Sequence, residues 1–253
     1  MEKSITVVTV VLNSANLLER TIASLKDINQ EFEYIVIDGD STDGTVSVVY
    51  NSQEVNKFIS EKDEGISDAF NKGISMASGD YVLLLNAGDE LMPDSLEHYQ
   101  QAIRKQPDVD IFYGDIIYFD EDKEFIYLEK SNLANIWKYM SIYHPGMLVK
   151  KSSYNDIGGY SCKYKYAMDS EWLHRAIKNQ LKIEYVPHAF VGMAVGGKSD
   201  KYFYYSLREF CMSSIKHGPS RIAPLYYFGR QLLVHSLLKI TMIKKWRVNR
   251  KSN

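Results

Sequence analysis

Four short stretches of this chain carry side chains that could do chemistry together. The first is Ile37-Asp38-Gly39-Asp40-Ser41-Thr42-Asp43-Gly44-Thr45. A carboxylate beside glycine at a strand end can approach a nucleobase or ribose and accept its hydrogen bonds. The helix start that follows offers free N–H groups. The same composition also makes an ordinary turn. The second stretch runs from Asp63 to Gly73, where Asp68, Asn71 and Lys72 fall at i, i+3 and i+4 and share a helix face. They could order a ribose and a phosphate, or form a solvated ion pair. In the third, the apolar run Tyr81–Leu85 leads into Asn86-Ala87-Gly88-Asp89. A divalent cation carrying diphosphate oxygens needs hard oxygen ligands, and Asp89 is the obvious candidate. The fourth is Ala167-Met168-Asp169-Ser170-Glu171-Trp172-Leu173-His174-Arg175. One of its two carboxylates could take a proton from an acceptor hydroxyl. Asp169 could instead cap the helix.

Such groups need a scaffold that delivers strand ends to one edge. Ile5–Val11, Tyr34–Ile37, Lys57–Ser60 and Tyr81–Leu85 read as strands, β-branched or continuously apolar. Between them lie helical patterns over Asn16–Lys26, from about Thr45, and over Gly65–Ala77. Asp43 is placed to cap the second of these. This alternation predicts an α/β fold, a Rossmann-like, mainly parallel sheet flanked by helices. Ligands then bind beyond the carboxyl ends of the strands. The second half reads as mixed. It holds a helix over Pro93–Lys105 and a hairpin of Asp110–Phe119 with Glu124–Leu128, joined by the acidic turn 120–123. A helix over Met168–Asn179 and a strand over Lys182–Val186 follow. Helices over Lys201–His217 and Ile222–Trp246 flank a hinge at Gly218-Pro219-Ser220.

The charge is distributed unevenly. None of the 32 Asp and Glu residues follows Glu209, whereas nine of the 30 Lys and Arg residues do. The tail interleaves Leu225, Tyr226, Phe228, Leu232, Leu237 and Trp246 with Arg230, Lys239, Lys244, Lys245 and Arg247. That composition suits a helix lying in a membrane interface over anionic lipid. It also suits a packed terminal helix with a solvated basic end. An acidic body with its basic residues gathered on an apolar tail speaks against nucleic-acid binding. No run reaches about 18 consecutive apolar residues, so no transmembrane helix is expected. Cys162 and Cys211 form no CxxC and sit far from any histidine cluster, which points to reduced thiols in a cytoplasmic setting. The apolar run Ile5 to Leu12 is too short for a signal-peptide core with its cleavage site.

Taken in order, the four stretches resemble the family 2 glycosyltransferases of the GT-A fold. The likeness is greatest to the bacterial subgroup that builds O-antigen (part of lipopolysaccharide), colanic acid and other surface polysaccharides. It rests on Thr9-Val10-Val11-Leu12-Asn13, the Asp38-to-Thr45 turn, Asn71-Lys72-Gly73, the Leu85-to-Asp89 strand end and Asp169-x-Glu171-Trp172-x-x-Arg175, and it spans about residues 4–200. Each motif is degenerate, and their order is the specific signal. The resemblance implies a GT-A domain over 1–200, with a nucleotide-sugar half to about 110 and an acceptor half over 111–200. A basic amphipathic helical extension occupies 201–253. Thr9, Asn13 and Asp38 would line the uridine pocket. Asp40, Asp68 and Lys72 would lie near the ribose or diphosphate, and Asn86 would touch the donor. Asp89 would hold Mg²⁺ or Mn²⁺, and Asp169 would be the general base. His144-Pro145-Gly146 and Gly196-Gly197-Lys198-Ser199 resemble acceptor-side loops, with Glu171 and Arg175 on the same side. His144 could equally be a plain loop histidine.

One departure stands out. The wider family usually carries Asp where this chain has Asn86 and Gly88, although the subgroup often reads Asn-Ala-Gly-Asp. Weaker metal binding is implied, with diphosphate oxygens completing the shell. The implied reaction moves a hexose, glucose or galactose, with inversion from a UDP-sugar to a polyprenyl-diphosphate-linked N-acetylhexosamine. The subgroup suggests a β-1,3 linkage. The tail would hold the enzyme peripherally at the cytoplasmic face of the bacterial inner membrane. Two rivals remain. A sugar-nucleotide pyrophosphorylase wants a Gly-rich basic loop after its first strand, where this chain has Val11-Leu12-Asn13-Ser14-Ala15-Asn16. A non-catalytic module binding nucleotide-sugar or lipid draws support only from the thinned metal motif.

Overall fold

A computed structural model describes residues 3–120, 124–194 and 201–249, with side chains to residue 237. The first half alternates as expected: β1 (Ile5–Val11), α1 (Ala15–Lys26), β2 (Glu33–Asp38), α2 (Thr45–Tyr50), β3 (Lys57–Ser60), α3 (Ile66–Met76) and β4 (Tyr81–Asn86). These strands pair in parallel in the order β3-β2-β1-β4. The second half adds β5 (Glu90–Leu91), α4 (Ser95–Lys105), β6 (Ile111–Phe119), β7 (Phe125–Glu129), β8 (Met147–Lys150), α5 (Lys151–Ile157), α6 (Met168–Lys178) and β9 (Ile183–Ala194). β8 enters antiparallel between β4 and β6, and β6 pairs in parallel with β9. The result is one mainly parallel sheet with helices on both faces.

Alternation along β1 sets the two layers. Val7 and Val11 pack with Leu18 and Ile22 of α1 and Tyr99 of α4. Val8 and Val10 pack with Phe70 and Ile74 of α3 and Trp172 of α6. Burying each such aliphatic side chain contributes about 1.5–3 kcal/mol, so the strands are fixed from both faces. α3 approaches so closely that a Cβ on Gly73 would lie 2.2 Å from Val8 Cγ1. This holds α3 directly under the strand ends that carry the polar turns.

Three differences from expectation have local causes. β9 runs on to Ala194, past Pro187, which has no N–H to give the ladder. The β6–β9 register shifts between Tyr113 and Asp115, and this bulge accommodates the proline. β5, β8 and α5 are short and carry no clear period, so no residue pattern marks them. Helix α7 (Phe203–His217) belongs to the packed body. Its Phe210, Cys211, Ser213 and Ser214 are buried, and its Ser213 Oγ lies 2.8 Å from His174 Nδ1. His174 Nε2 donates to the Ile136 carbonyl at 3.1 Å. Burial pushes the His174 pKa down to about 4. The neutral ring then accepts from Ser213.

The last helix, α8 (Ala223–Asn249), exposes Leu225, Tyr226, Leu233 and Leu237. Up to residue 237, apolar residues such as Leu225, Tyr227, Phe228 and Leu233 fall on every side of the axis, so no single apolar face is present in that part. No helix among the described residues is long and apolar enough to cross a membrane.

Candidate active site

The polar ends of β2 and β4 lie on the same edge of the sheet, because both strands pair in parallel with β1. At the end of β4 the chain folds back on itself. Asp89 Oδ2 accepts from the Asn86 N–H at 2.8 Å. Thr21 of α1 braces the turn, accepting from the Gly88 N–H at 2.9 Å and donating to the Asp89 carbonyl at 2.8 Å. Gly88 has φ +101°, a left-handed conformation that a side chain disfavours. Glycine is the residue this turn accommodates with least strain.

His144 meets this turn from the second half of the chain. It opens a short 3₁₀ turn, His144–Gly146, whose second residue Pro145 fixes the backbone. The imidazole is 8% exposed, and the Phe70 ring centroid lies 5.3 Å away. Its Nε2 is 3.0 Å from Asn86 Nδ2, and its Nδ1 is 3.4 Å from Asp169 Oδ2. Asn86, His144 and Asp169 thus form one buried polar row. They stand 58 and 25 residues apart in the chain, and no spacing rule could have linked them.

Asp169 lies in the first turn of α6, and its Oδ1 accepts from the Ser170 N–H at 2.7 Å. It does not cap the helix. Glu209 of α7 holds the approach instead, accepting from the N–H groups of Lys165, Tyr166 and Ala167. Neither Glu209 nor Thr21 was singled out from sequence, since each is one polar residue in an ordinary helical pattern.

Asp89 is 5% exposed, and burial raises its pKa to about 6 against the opposing influence of His144 and Asn86. A buried carboxylate without a full counter-charge suits a cation site. Among the described residues no three His, Cys, Asp or Glu side chains gather around one point. The donor set therefore fits a site in which Asp89 is the sole protein carboxylate and phosphate oxygens and water supply the rest. Asn86 Oδ1 is also buried without a hydrogen-bond partner.

Several expected contacts fall elsewhere. Thr9 is 0% exposed, inside the sheet beside the Tyr34 phenol, and lines no open pocket. Asp38 is likewise 0% exposed. Its oxygens accept from Ser41 Oγ, from the Ser41 N–H at 3.0 Å and from Ser60 Oγ at 2.6 Å. Asn13 serves the same turn, accepting from the Thr42 N–H at 2.8 Å. Asp40 stays exposed, with φ 70°. Lys72 Nζ is held by Glu61 at 2.8 Å, Asp68 at 3.2 Å and the Lys62 carbonyl at 3.1 Å. The ion-pair reading of that face is the one observed. Asp43 braces α2 as expected, accepting from the Thr45 N–H at 2.9 Å.

Glu171 and Arg175 pair with each other, turned away from Asp169. Glu171 sits two residues from Asp169, which on a helix turns it to the opposite face. It is 2% exposed and accepts from Arg175 Nε at 3.0 Å. Arg175 then grips the carbonyls of Gly158 and Gly159 at 3.1 and 2.6 Å. Asn71 ties α3 to the same segment through both atoms of its amide, at 2.8 and 2.7 Å from Tyr160 O and N. These residues hold α3 and α6 together behind the site. Lys198 and its loop lie outside the described residues.

The chain matches the family described as Glycosyl transferase family 2 over residues 6–207. It belongs to that family. Similar proteins include a PGL/p-HBAD biosynthesis glycosyltransferase of Mycobacterium tuberculosis, 26% identical, covering 71% of this chain and 72% of that one. An uncharacterized glycosyltransferase of Methanocaldococcus jannaschii is 23% identical over 88% of this chain and 84% of that one. Among solved structures, S. aureus TarS 1–349 in complex with UDP-GlcNAc superposes with a TM-score of 0.66. It is 18% identical, covering 90% of this chain and 71% of that one. The mannosyltransferase PcManGT of Pyrobaculum calidifontis, in complex with GDP-Man and Mn²⁺, gives 0.68 at 17% identity, covering 90% and 70%. The fold is therefore GT-A-like, and the chain is a glycosyltransferase using a nucleotide sugar. The pyrophosphorylase and the non-catalytic module are set aside by this membership.

Proposed function

We propose that this glycosyltransferase is an inverting hexosyltransferase of surface-polysaccharide assembly, O-antigen or colanic-acid type. It moves glucose or galactose from UDP to a polyprenyl-diphosphate-linked N-acetylhexosamine, in a β-1,3 linkage. The observation that carries the chemistry is the buried row from Asn86 through His144 to Asp169. It joins the strand end of the donor half to a carboxylate in the other half. Asp169 takes the proton from the acceptor hydroxyl. That oxygen forms a bond to the anomeric carbon as the bond to UDP breaks on the opposite face, and the electron pair leaves on the diphosphate. Asn86 Oδ1 receives a donor hydroxyl, and Asn13, Asp40 and Asp68 border the nucleotide. Mg²⁺ or Mn²⁺, held by Asp89, would neutralise charge on the departing diphosphate. The solved complexes with UDP-GlcNAc and with GDP-Man and Mn²⁺ support a nucleotide-sugar and metal of this kind. The mycobacterial relatives are named for PGL/p-HBAD biosynthesis, so the pathway is this proposal's own.

The exposed apolar side chains of α8, with Arg230 in the helix and Arg221 just before it, favour peripheral attachment at the cytoplasmic face of the inner membrane. The support is exposure and charge, not one-sidedness.

The test is a panel of UDP-sugars offered with a lipid-diphosphate N-acetylglucosamine acceptor, the product linkage read by NMR. Transfer of glucose or galactose, lost in EDTA and in Asp169→Asn while UDP still binds, is the expected result. Turnover by Asp169→Asn removes Asp169 as the base. Full activity in EDTA removes the cation. Truncation before Ile222 should release the protein from membranes, and an unchanged distribution means that α8 only packs.

A further inference from the structure

We infer that His144 is the positioning residue of Asp169, holding its carboxylate toward the acceptor and taking its own orientation from Asn86. This rests on the reading of Asp169 as the base. The geometry fixes where the ring proton sits. Asn86 Nδ2 can only donate, so His144 Nε2 accepts at 3.0 Å and the ring is protonated at Nδ1. That N–H faces Asp169 Oδ2 at 3.4 Å. The reverse amide orientation would need the proton on Nε2. It would leave the Nδ1 lone pair against a carboxylate. Asn86 thus selects the tautomer that serves Asp169, in the way that a second hydrogen bond selects a histidine's protonated nitrogen.

The row is also built to be still. His144 and Asp169 are 8% and 5% exposed, so water does not compete for their bonds. Phe70 lies against the imidazole, and Pro145 fixes the backbone beside it. The other oxygen of Asp169 is taken by the Ser170 N–H. The carboxylate is therefore pinned at both oxygens, with lone pairs left for one incoming hydroxyl. A plain loop histidine would be solvated and would touch neither half. Asn86 ends the strand that delivers the donor, so the same bond that orients His144 lies at the donor's edge.

The test uses the full chain and measures kcat, both KM values and UDP affinity by calorimetry. His144→Ala should lower kcat by about 10²-fold, the cost of a misplaced reacting group. UDP affinity should stay within about two-fold, since the proposed nucleotide border is Asn13, Asp40 and Asp68 and not His144. His144→Asn keeps an N–H near the Nδ1 position and should recover about ten-fold over His144→Ala. His144→Gln places its amide near the Nε2 position and should recover little. Equal behaviour of the Asn and Gln variants, or wild-type kcat in His144→Ala, overturns the inference. The Asn and Gln pair also separates positioning from folding, since both fill the site. Turnover by Asp169→Asn alone would instead sink the base reading, whatever His144 does.

Discussion

The ends of β2 and β4 carry similar sequences and meet different fates. Both strands are apolar, both run into Asp and Gly, and both stop at the same sheet edge. Asp38 at the end of β2 is consumed by its own turn, with Ser41 and Ser60 donating to it. Among the described residues the Asp89 carboxylate after β4 draws its hydrogen bonds from Asn86, and burial raises its pKa to about 6. Beside it Asn86 Oδ1 has no partner, while Asn86 Nδ2 reaches across to His144. A carboxylate whose lone pairs are filled by the protein braces the fold. One that is buried and under-compensated is held for something that arrives later.

The largest effect that could break this comparison is expected at Asp89. Asp89→Asn should lower kcat by about 10²–10³-fold, as removal of a charge-stabilising group does. It should also stabilise the protein. Asp89 has a folded-state pKa above its unfolded value, about 6 against 3.8. The folded wild type therefore binds the proton more tightly. The contribution of Asp89 to stability is fullest below pH 3.8 and is lost as pH rises through 6. Asn has no charge to desolvate, so in EDTA at pH 7.5 the variant should gain up to about 3 kcal/mol in urea unfolding. At pH 3.5 the two proteins should converge. Loss of stability in the variant at pH 7.5 would mean that the protein already compensates the charge, and the two strand ends would no longer differ.

Asp38→Asn should act the other way. One oxygen becomes an amide donor facing Ser41 or Ser60, leaving a buried bond unmade at a cost of about 1–3 kcal/mol. Urea unfolding should show that loss, while UDP affinity changes little beyond what the looser turn causes. Unchanged stability with a large loss of UDP affinity would show that the turn opens and Asp38 itself meets the nucleotide.

This contrast also marks how far sequence reached. The parallel half of the fold was legible because Ile5–Val11, Glu33–Asp38 and Tyr81–Asn86 are apolar strands between helices of clear period. The candidate chemistry at Asn86, Asp89 and Asp169 was legible because polar groups follow an apolar strand or open a helix. Partner choice was not. Asp38 and Asp89 look alike until the serines around one are in place. Glu171 reads as a site residue beside Asp169, yet helical rotation turns it to Arg175. Asn71 reads as a ligand contact and is a clasp on Tyr160. His144 could be given its partners only in three dimensions.

The smallest expected effect sharpens the comparison from the β2 side. Lys72 was the one cation placed near the diphosphate, and it is held by Glu61 and Asp68. Its pKa is raised by Glu61 first and Asp68 with it. Releasing it to a phosphate would break two ion pairs to make one contact. The pairs are partly exposed, so each is weak and the exchange nearly neutral. Lys72→Met should then change UDP-sugar affinity by less than about three-fold, with a salt dependence close to wild type. A loss of about ten-fold or more for UDP, with uridine affinity unchanged, would show that the ammonium leaves its carboxylates for the diphosphate. In that case the face beside β2 is poised for ligand as the end of β4 is, and the difference between them lies in charge pairing and not in satisfaction.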